Sequence, residues 1–239
     1  EEFDNLKDHL RKISPDDSFF YQIGSPVGEV SQWKKEKHKI PMGSLNKVNI
    51  LEEFQSWAKT TKTNDFLIMT KLDGISIDLE YKTGKLIKAI TRGDGTIGED
   101  ILSNVVRMKN VKETIKGFTG SLRGEIVIHR DDFIALNVES VANGDREYKN
   151  PRNAASGISK NFEGTYAKFC TILYYDIATE DDEEVLEIHK HIEIEKNGLL
   201  CCWYKQLTLN ISIEEFDDWQ DKLREEYPYD IDGMVIAVN

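Results

Sequence analysis

The chain has 239 residues, 39% of them hydrophobic and 31% charged, and its 31 Lys plus Arg against 43 Asp plus Glu give a formal net charge of −12. That is enough chain for one large domain or two small ones with a core of their own. No apolar run approaches the roughly 20 residues of a membrane-spanning helix, and 16 Gly with 5 Pro and no short-period repeat exclude collagen, solenoid and disordered classes.

Helical periodicity marks Phe3 to Ile13 and Ile50 to Ala58, the second preceded by Asn49 as N-cap with Glu52 three positions on. Ser14 to Val48 between them reads as irregular and carries a basic cluster, Lys34, Lys35, Lys37 and Lys39, whose simplest role is a solvated face. From Phe66 the pattern turns to strands: FLIMTK, ISIDLEY, the turn TGK and LIKAITR, which reads as a hairpin. Ser121 to Ile128 alternates as another strand, Asp131 to Val141 reads as a helix and Lys168 to Ile177 as a strand. Two acidic helices follow, around Asp181 to Lys196 and from Ser212 to Tyr227, where Ser212 and Glu215 form a capping box, and Gly233 to Val238 is a last strand. Strands in hairpins interspersed with helices predict an α+β fold of mixed, largely antiparallel sheets with flanking helices, and no Pro or Gly-rich linker divides Phe66 to Asn239.

Cys170, Cys201 and Cys202 are an odd set without the spacing of a zinc site, which predicts a reducing, cytoplasmic compartment. No secretory leader opens the sequence. A start at Glu1 and an apolar close over Met234 to Val238 read as part of a longer protein.

Five segments carry chemistry. In Lys71-Leu72-Asp73-Gly74 a lysine between two strands stands beside an acid and a glycine. A positioned amine is a nucleophile, and a glycine admits a ligand to the backbone; a hairpin-edge Lys paired to Asp73 is the plainer alternative. Thr91 to Asp100 (TRGDGTIGED) puts three glycines directly after a strand, which suits either close approach to a phosphate or a tight loop. Asn150 to Gly157 (NPRNAASG) reads as a polar turn with one Arg, a bidentate match for phosphate, among small neighbours. Arg123-Gly124-Glu125 and Asp232-Gly233-Met234-Val235-Ile236 each offer a strand-edge carboxylate suited to a ribose hydroxyl or a metal ion, or simply punctuate a strand.

Together and in this order these segments resemble the nucleotidyltransferase (adenylation) domain of NAD-dependent DNA ligases. The run PMGSL (Pro41 to Leu45) with His38 before it, KLDG, TRGDGTIGED, LRGEI, NPRNAASG and DGMVI carry the resemblance, which spans essentially the whole chain. TRGDGTIGED and NPRNAASG set it apart from ATP-dependent ligases and capping enzymes. The resemblance implies the nucleotidyltransferase (ATP-grasp-like) fold of covalent ligases, NAD as AMP donor, Mg²⁺, and nicked double-stranded DNA as partner. It further implies a monomer, no membrane, and a role in DNA replication and repair. Lys71 would take AMP from NAD, pass it to the 5′-phosphate at a nick, and the 3′-hydroxyl would displace it. Asp73 would orient Lys71 or a metal-held water. Ser44 and Leu45 would line the nucleotide pocket, Arg92 would contact the cofactor, Glu125 would hold the ribose and Tyr175 would stack on adenine. Arg152 and Lys160 would touch the phosphates of the nicked strand or the cofactor, and Asp232 would complete the phosphate and metal end, with Glu125 also a candidate for the metal. Residues 1–48 would be the tail of the family's N-terminal domain and a lead-in segment, and 49–239 the adenylation domain, cut short at its C-terminus.

The sequence departs from the family pattern at Met69, where Glu is usual, at Ala237, where Lys is usual, and at Lys160, where Arg is usual. The first two belong to the adenine pocket and predict one that depends on stacking and main-chain bonds. They also keep open a weakened, non-catalytic relative that binds nucleotide or nicked DNA, and a polynucleotide ligase that uses ATP. The acidity is local: residues 176–230 hold 17 acidic and 5 basic groups, whereas 1–175 hold 25 and 26. The acidic helices are therefore expected to face away from DNA.

Overall fold

The structure is a computed structural model that describes residues 2–14, 17, 31–48, 51–179, 185–208 and 213–239. Asn49, Ser212 and the first residues of the expected helix from Asp181 lie outside them.

Helix α1 spans Glu2–Ile13, and α2 spans Leu51–Thr60. The stretch between them is not wholly irregular, because Lys35–Lys37 forms a short strand, β1, paired antiparallel with β5, Ile97–Glu99. Three residues flanked by charged neighbours give no period to read, so neither strand shows in the sequence.

Strand β2 (Asp65–Leu72) is the middle of a three-stranded sheet between β8 (Tyr204–Thr208) and β9 (Ile231–Val238), antiparallel to both. Strands β3 (Ile75–Lys82) and β4 (Lys85–Thr91) form the expected hairpin in a second sheet, whose order continues through β6 (Gly120–Ile128) and β7 (Cys170–Ala178). The chain thus leaves one sheet for the other between Leu72 and Ile75, at Asp73-Gly74. That crossing explains the glycine: a Cβ on Gly74 would lie 2.3 Å from the Ile126 carbonyl oxygen of β6.

Period-two alternation divides the faces. Phe66 and Ile68 of β2 pack with Ala58, Leu207, Trp203 and Trp219, under α2 and helix α7 (Ile213–Glu226). Leu67, Met69 and Leu72 point the other way and meet Val127 and Leu173 of the second sheet. A strand covered on both faces needs apolar residues at nearly every position, which is why FLIM is unbroken. The far face of the second sheet, with Ile77, Leu79, Tyr81, Ile126 and Tyr174, is covered by three helices: α3 (Leu102–Val105), α4 (Arg130–Ala142) and α5 (Pro151–Ser159). Helix α6, Glu187–Lys196, lies on β7.

NPRNAASG is therefore not a turn but the body of α5. Asn150 caps it by accepting from the Asn153 N–H at 2.8 Å, Pro151 takes the first turn where its missing N–H costs nothing, and Ala154, Ala155 and Ile158 are buried. Its small residues let the helix sit close on β3 and β6. Cys170 and Cys202 are buried with thiols pushed up to about 12 by desolvation, and the three cysteines are free. No described helix is long and apolar enough to cross a membrane.

Candidate active site

Near the end of β2 buried Leu72 turns toward the other sheet, and Lys71 before it is exposed. Its ammonium pairs with Asp232, not with the neighbouring Asp73. The pairing register explains this: Lys71 faces Gly233 and Leu72 faces Ile231, so Asp232 is the extra residue of a β-bulge, and bulges re-aim side chains. Asp73 bonds instead to Arg152 in the first turn of α5, at 2.7 Å. Its N–H donates to the Asp230 carbonyl at 2.9 Å, which ties the crossing to the start of β9.

A second bulge, in β7, aims Tyr175. Arg123 pairs with Asp176 and Gly124 with Tyr174, leaving Tyr175 unpaired and turned into the inter-sheet cluster while Tyr174 packs on the far side. Gly124 is needed here, since a Cβ would lie 2.7 Å from the Leu173 carbonyl oxygen. Glu125, on β6, is buried and accepts from the Ser76 hydroxyl at 2.8 Å. Burial drives its carboxyl up to about 7; the Ser76 hydrogen bond and the facing charges of Arg152, Lys71 and Arg92 pull it down without cancelling that cost. Burial and the neighbouring Glu125 likewise push the Tyr175 phenol up. Three cations from three elements thus converge on one buried carboxylate beside Lys71.

TRGDGTIGED resolves as a tight loop. Gly93 and Gly95 take positive φ, and the Asp94 carboxylate accepts from the N–H groups of Thr96 and Ile97 at 2.8 and 2.7 Å, which lowers its own pKa. The loop holds the PMGSL segment, as the N–H groups of His38 and Met42 donate to the carbonyls of Thr96 and Gly95. His38 is buried, Nδ1 3.3 Å from Asp78 and Nε2 3.2 Å from the carbonyls of Thr91 and Arg92. So anchored, the segment carries Ser44 to Arg92, whose guanidinium donates to the Ser44 hydroxyl at 2.9 Å. Leu45 stands beside it, exposed.

Met69 and Ala237 share the face of Lys71: Leu67 pairs with Ala237, Met69 with Val235 and Lys71 with Gly233. With Tyr175 and Leu173 opposite, the wall beyond Lys71 is apolar. Lys160 caps the C-terminal end of α5 and reaches Glu99 at 3.3 Å, a full helix length from Arg152. Sequence reasoning missed Asp230, Ser76 and Asp78 as supports; an alternating strand gives no sign of which polar residue faces a site.

The family model of the NAD-dependent DNA ligase adenylation domain matches residues 30–239. The chain belongs to that family. Curated relatives of this adenylation domain include a DNA ligase of Sorangium cellulosum, 34% identical over 99% of this chain and 38% of its own length. DNA ligases of Treponema denticola, 30% identical over 98% of the chain and 38% of their length, and Fusobacterium nucleatum, 32% over 100% and 37%, are also similar. The chain spans under two fifths of the length of these ligases.

Proposed function

We propose that this adenylation domain forms a covalent lysyl-AMP on Lys71 from NAD and hands the AMP to the 5′-phosphate of a DNA nick. The observation that carries the reading is the convergence of Lys71, Arg152 and Arg92 on Glu125 beside Tyr175. Cations gather where a pyrophosphate would lie, a carboxylate where ribose hydroxyls would donate, and an aromatic ring where a base would stack. In the first step the Nζ–P bond forms as the P–O bond to nicotinamide mononucleotide breaks, that group leaving with the electron pair while the amine gives up its proton to solvent. The Lys71 ammonium, paired with Asp232, has to lose a first proton to solvent before the amine has a lone pair to attack with, and the second leaves as the Nζ–P bond forms.

Among the described residues no three His, Cys, Asp or Glu side chains cluster tightly enough to cage a metal. Mg²⁺ would be held by substrate phosphates and one or two carboxylates. Asp232, exposed beside Lys71, is the better protein ligand. Buried Glu125, half neutral near pH 7, suits the ribose better. When bound, Mg²⁺ neutralises charge building on the phosphate oxygens. The reading carries with it a cytoplasmic monomer, residues 1–48 as a lead-in and 49–239 as the adenylation domain proper.

The full-length protein given adenylate-labelled NAD and Mg²⁺ should gain an acid-labile AMP adduct that Lys71→Ala abolishes; no adduct on either protein defeats the proposal. The apolar wall at Met69 and Ala237 supports a second reading, a relative that binds nucleotide or nicked DNA without turnover. Binding of NAD with no adduct is its signature, and labelling from ATP in place of NAD would mark an ATP-using ligase.

A further inference from the structure

The polar side of β3 is buried, not wet. ISIDLEY alternates, with Ile77, Leu79 and Tyr81 in the core under the helices, so Ser76, Asp78 and Glu80 share the opposite face, where the Ser76 hydroxyl meets Glu125. Asp78 and Glu80 are each 1% exposed. The segment from His38 to Pro41 covers them: the His38 ring lies on Asp78, and Arg123 of β6, which opposes Asp78 in register, donates to the Ile40 carbonyl at 2.6 Å. Nδ1 of His38 is 3.3 Å from Asp78 Oδ2, and Nε2 is 3.2 Å from the carbonyl oxygens of Thr91 and Arg92. Both ring nitrogens therefore face acceptors. A carbonyl oxygen only accepts, so Nε2 carries a proton, and a second proton lies between Nδ1 and the carboxylate. The pair is an imidazolium with a carboxylate or an imidazole with a carboxylic acid, without net charge either way, which suits its burial. Removing one proton turns a ring lone pair on Asp78 or on the two carbonyls.

We propose that His38 and Asp78 are a positioning pair for the NAD step, a latch that holds Ser44 and Arg92 in place while it keeps its second proton and loosens when that proton leaves to solvent. The proposal rests on the ligase reading for its substrate. The ring grips Arg92 by its carbonyl, the Arg92 N–H donates to the Ser76 carbonyl at 3.1 Å, and the guanidinium donates to the Ser44 hydroxyl and faces Glu125. A shift of the ring therefore moves two of the nucleotide contacts together. Around the pair stand Glu80 of β3, with Lys88 of β4 and Lys39 of the segment drawn to it, Arg123 of β6, and Asp94 of the glycine loop. Burial raises the Glu80 carboxyl, Lys88 lowers it and Asp78 raises it again, so the two acids of β3 resist being charged together. The closed latch is the protonated one, so affinity for NAD is held at low pH and lost as pH rises.

The test uses the full-length protein and the variants Asp78→Asn and His38→Ala, with lysyl-AMP formation from NAD followed from about pH 6 to 9. In the parent the KM for NAD is expected to climb about tenfold with pH. In Asp78→Asn the side-chain amide donates to Nδ1 of a neutral ring whose Nε2–H still reaches the carbonyls, so the latch has no proton to lose. Its KM should stay flat, near the low-pH value of the parent. His38→Ala should show the raised KM at every pH, with the rate at saturating NAD within about threefold of the parent. Other titrating groups, Glu125 among them, are common to the parent and Asp78→Asn, so the gap between the two profiles belongs to the pair. A contact that only stabilises the fold would leave those profiles parallel, and parallel profiles overturn the proposal whether or not His38→Ala folds. A parent that binds NAD but forms no lysyl-AMP overturns the ligase reading instead, and the same comparison made on NAD affinity by calorimetry decides the latch. A parent that does not bind NAD overturns both.

Discussion

Glu125 is a carboxyl held in a buried place among the proposed nucleotide contacts, and the consequence can be measured. Its folded-state value of about 7 lies above the ordinary 4.5, so the folded chain holds this proton more tightly than the unfolded one. Stability from this group is therefore complete below about pH 4.5 and is lost as pH rises toward 7. Glu125→Gln removes the titration while keeping an acceptor for Ser76. The variant should gain up to about 3 kcal/mol at pH 8 and nothing at pH 4, read from urea midpoints. If the carboxylate holds the ribose, the KM for NAD should rise about tenfold in the same variant. Lys71, Asp73, Arg152 and Glu125 were legible as candidate site residues because each sits in a short polar motif beside a glycine or among small residues. Their partners were not. The sequence suggests Lys71 with Asp73, since a strand sets residues two apart on one face, but β2 ends at Leu72 and Asp73 already belongs to the crossing, while the register shift that selects Asp232 is invisible in either strand alone.

At the level of elements, the hairpin of β3 and β4 was legible from its alternation and its Thr-Gly turn, and most strands were found within a few residues. NPRNAASG reads as a polar turn, yet Asn before Pro with the Asn153 N–H donating back is a helix start, a signal that the run of small residues obscures. β8 leaves little trace in the sequence because, among the described side chains of YKQLT, only Leu207 is deeply buried, and its neighbours are polar. The junction of β2 and β3 supplies a direct test. Gly74→Ala sets a methyl against a backbone carbonyl that cannot yield without moving β6, so it should cost about 2 kcal/mol or more and slow lysyl-AMP formation. Alanine at Gly43, where φ is not positive and a Cβ meets nothing within 4 Å, serves as a stability control for the loss of glycine alone. The apolar wall of β2 and β9 supplies another. Ala237→Lys returns a polar group beside the base, and the affinity for NAD should rise up to about tenfold; no gain would mean that the base does not lie against this wall.

For the molecule as a whole, the net charge of −12 is a poor guide to what it binds. Asp221, Glu225 and Glu226 of α7 lie in the acidic stretch, on a helix that packs against the outer face of the three-stranded sheet, opposite the face that carries Lys71. Neutralising these three to Asn and Gln should leave the affinity for nicked duplex within about twofold and the salt slope unchanged, because screened charges more than about 10 Å from the backbone contribute little. A marked gain in affinity would place α7 against the DNA.

The position of β2 at the centre of its sheet also governs how the protein comes to exist. Both of its partners lie far downstream, the nearer beginning at Tyr204 and the farther ending at Val238. During synthesis at about 5 to 20 residues per second, the segment FLIMT waits roughly ten to thirty seconds before its second neighbour emerges. For that interval the nascent chain exposes an unpaired apolar strand with high β propensity, guarded only by the charges of Asp65 and Lys71 at its ends. The lysine proposed to carry AMP in the finished domain would, on the ribosome, also serve as one of the two charges that bound the exposed apolar run.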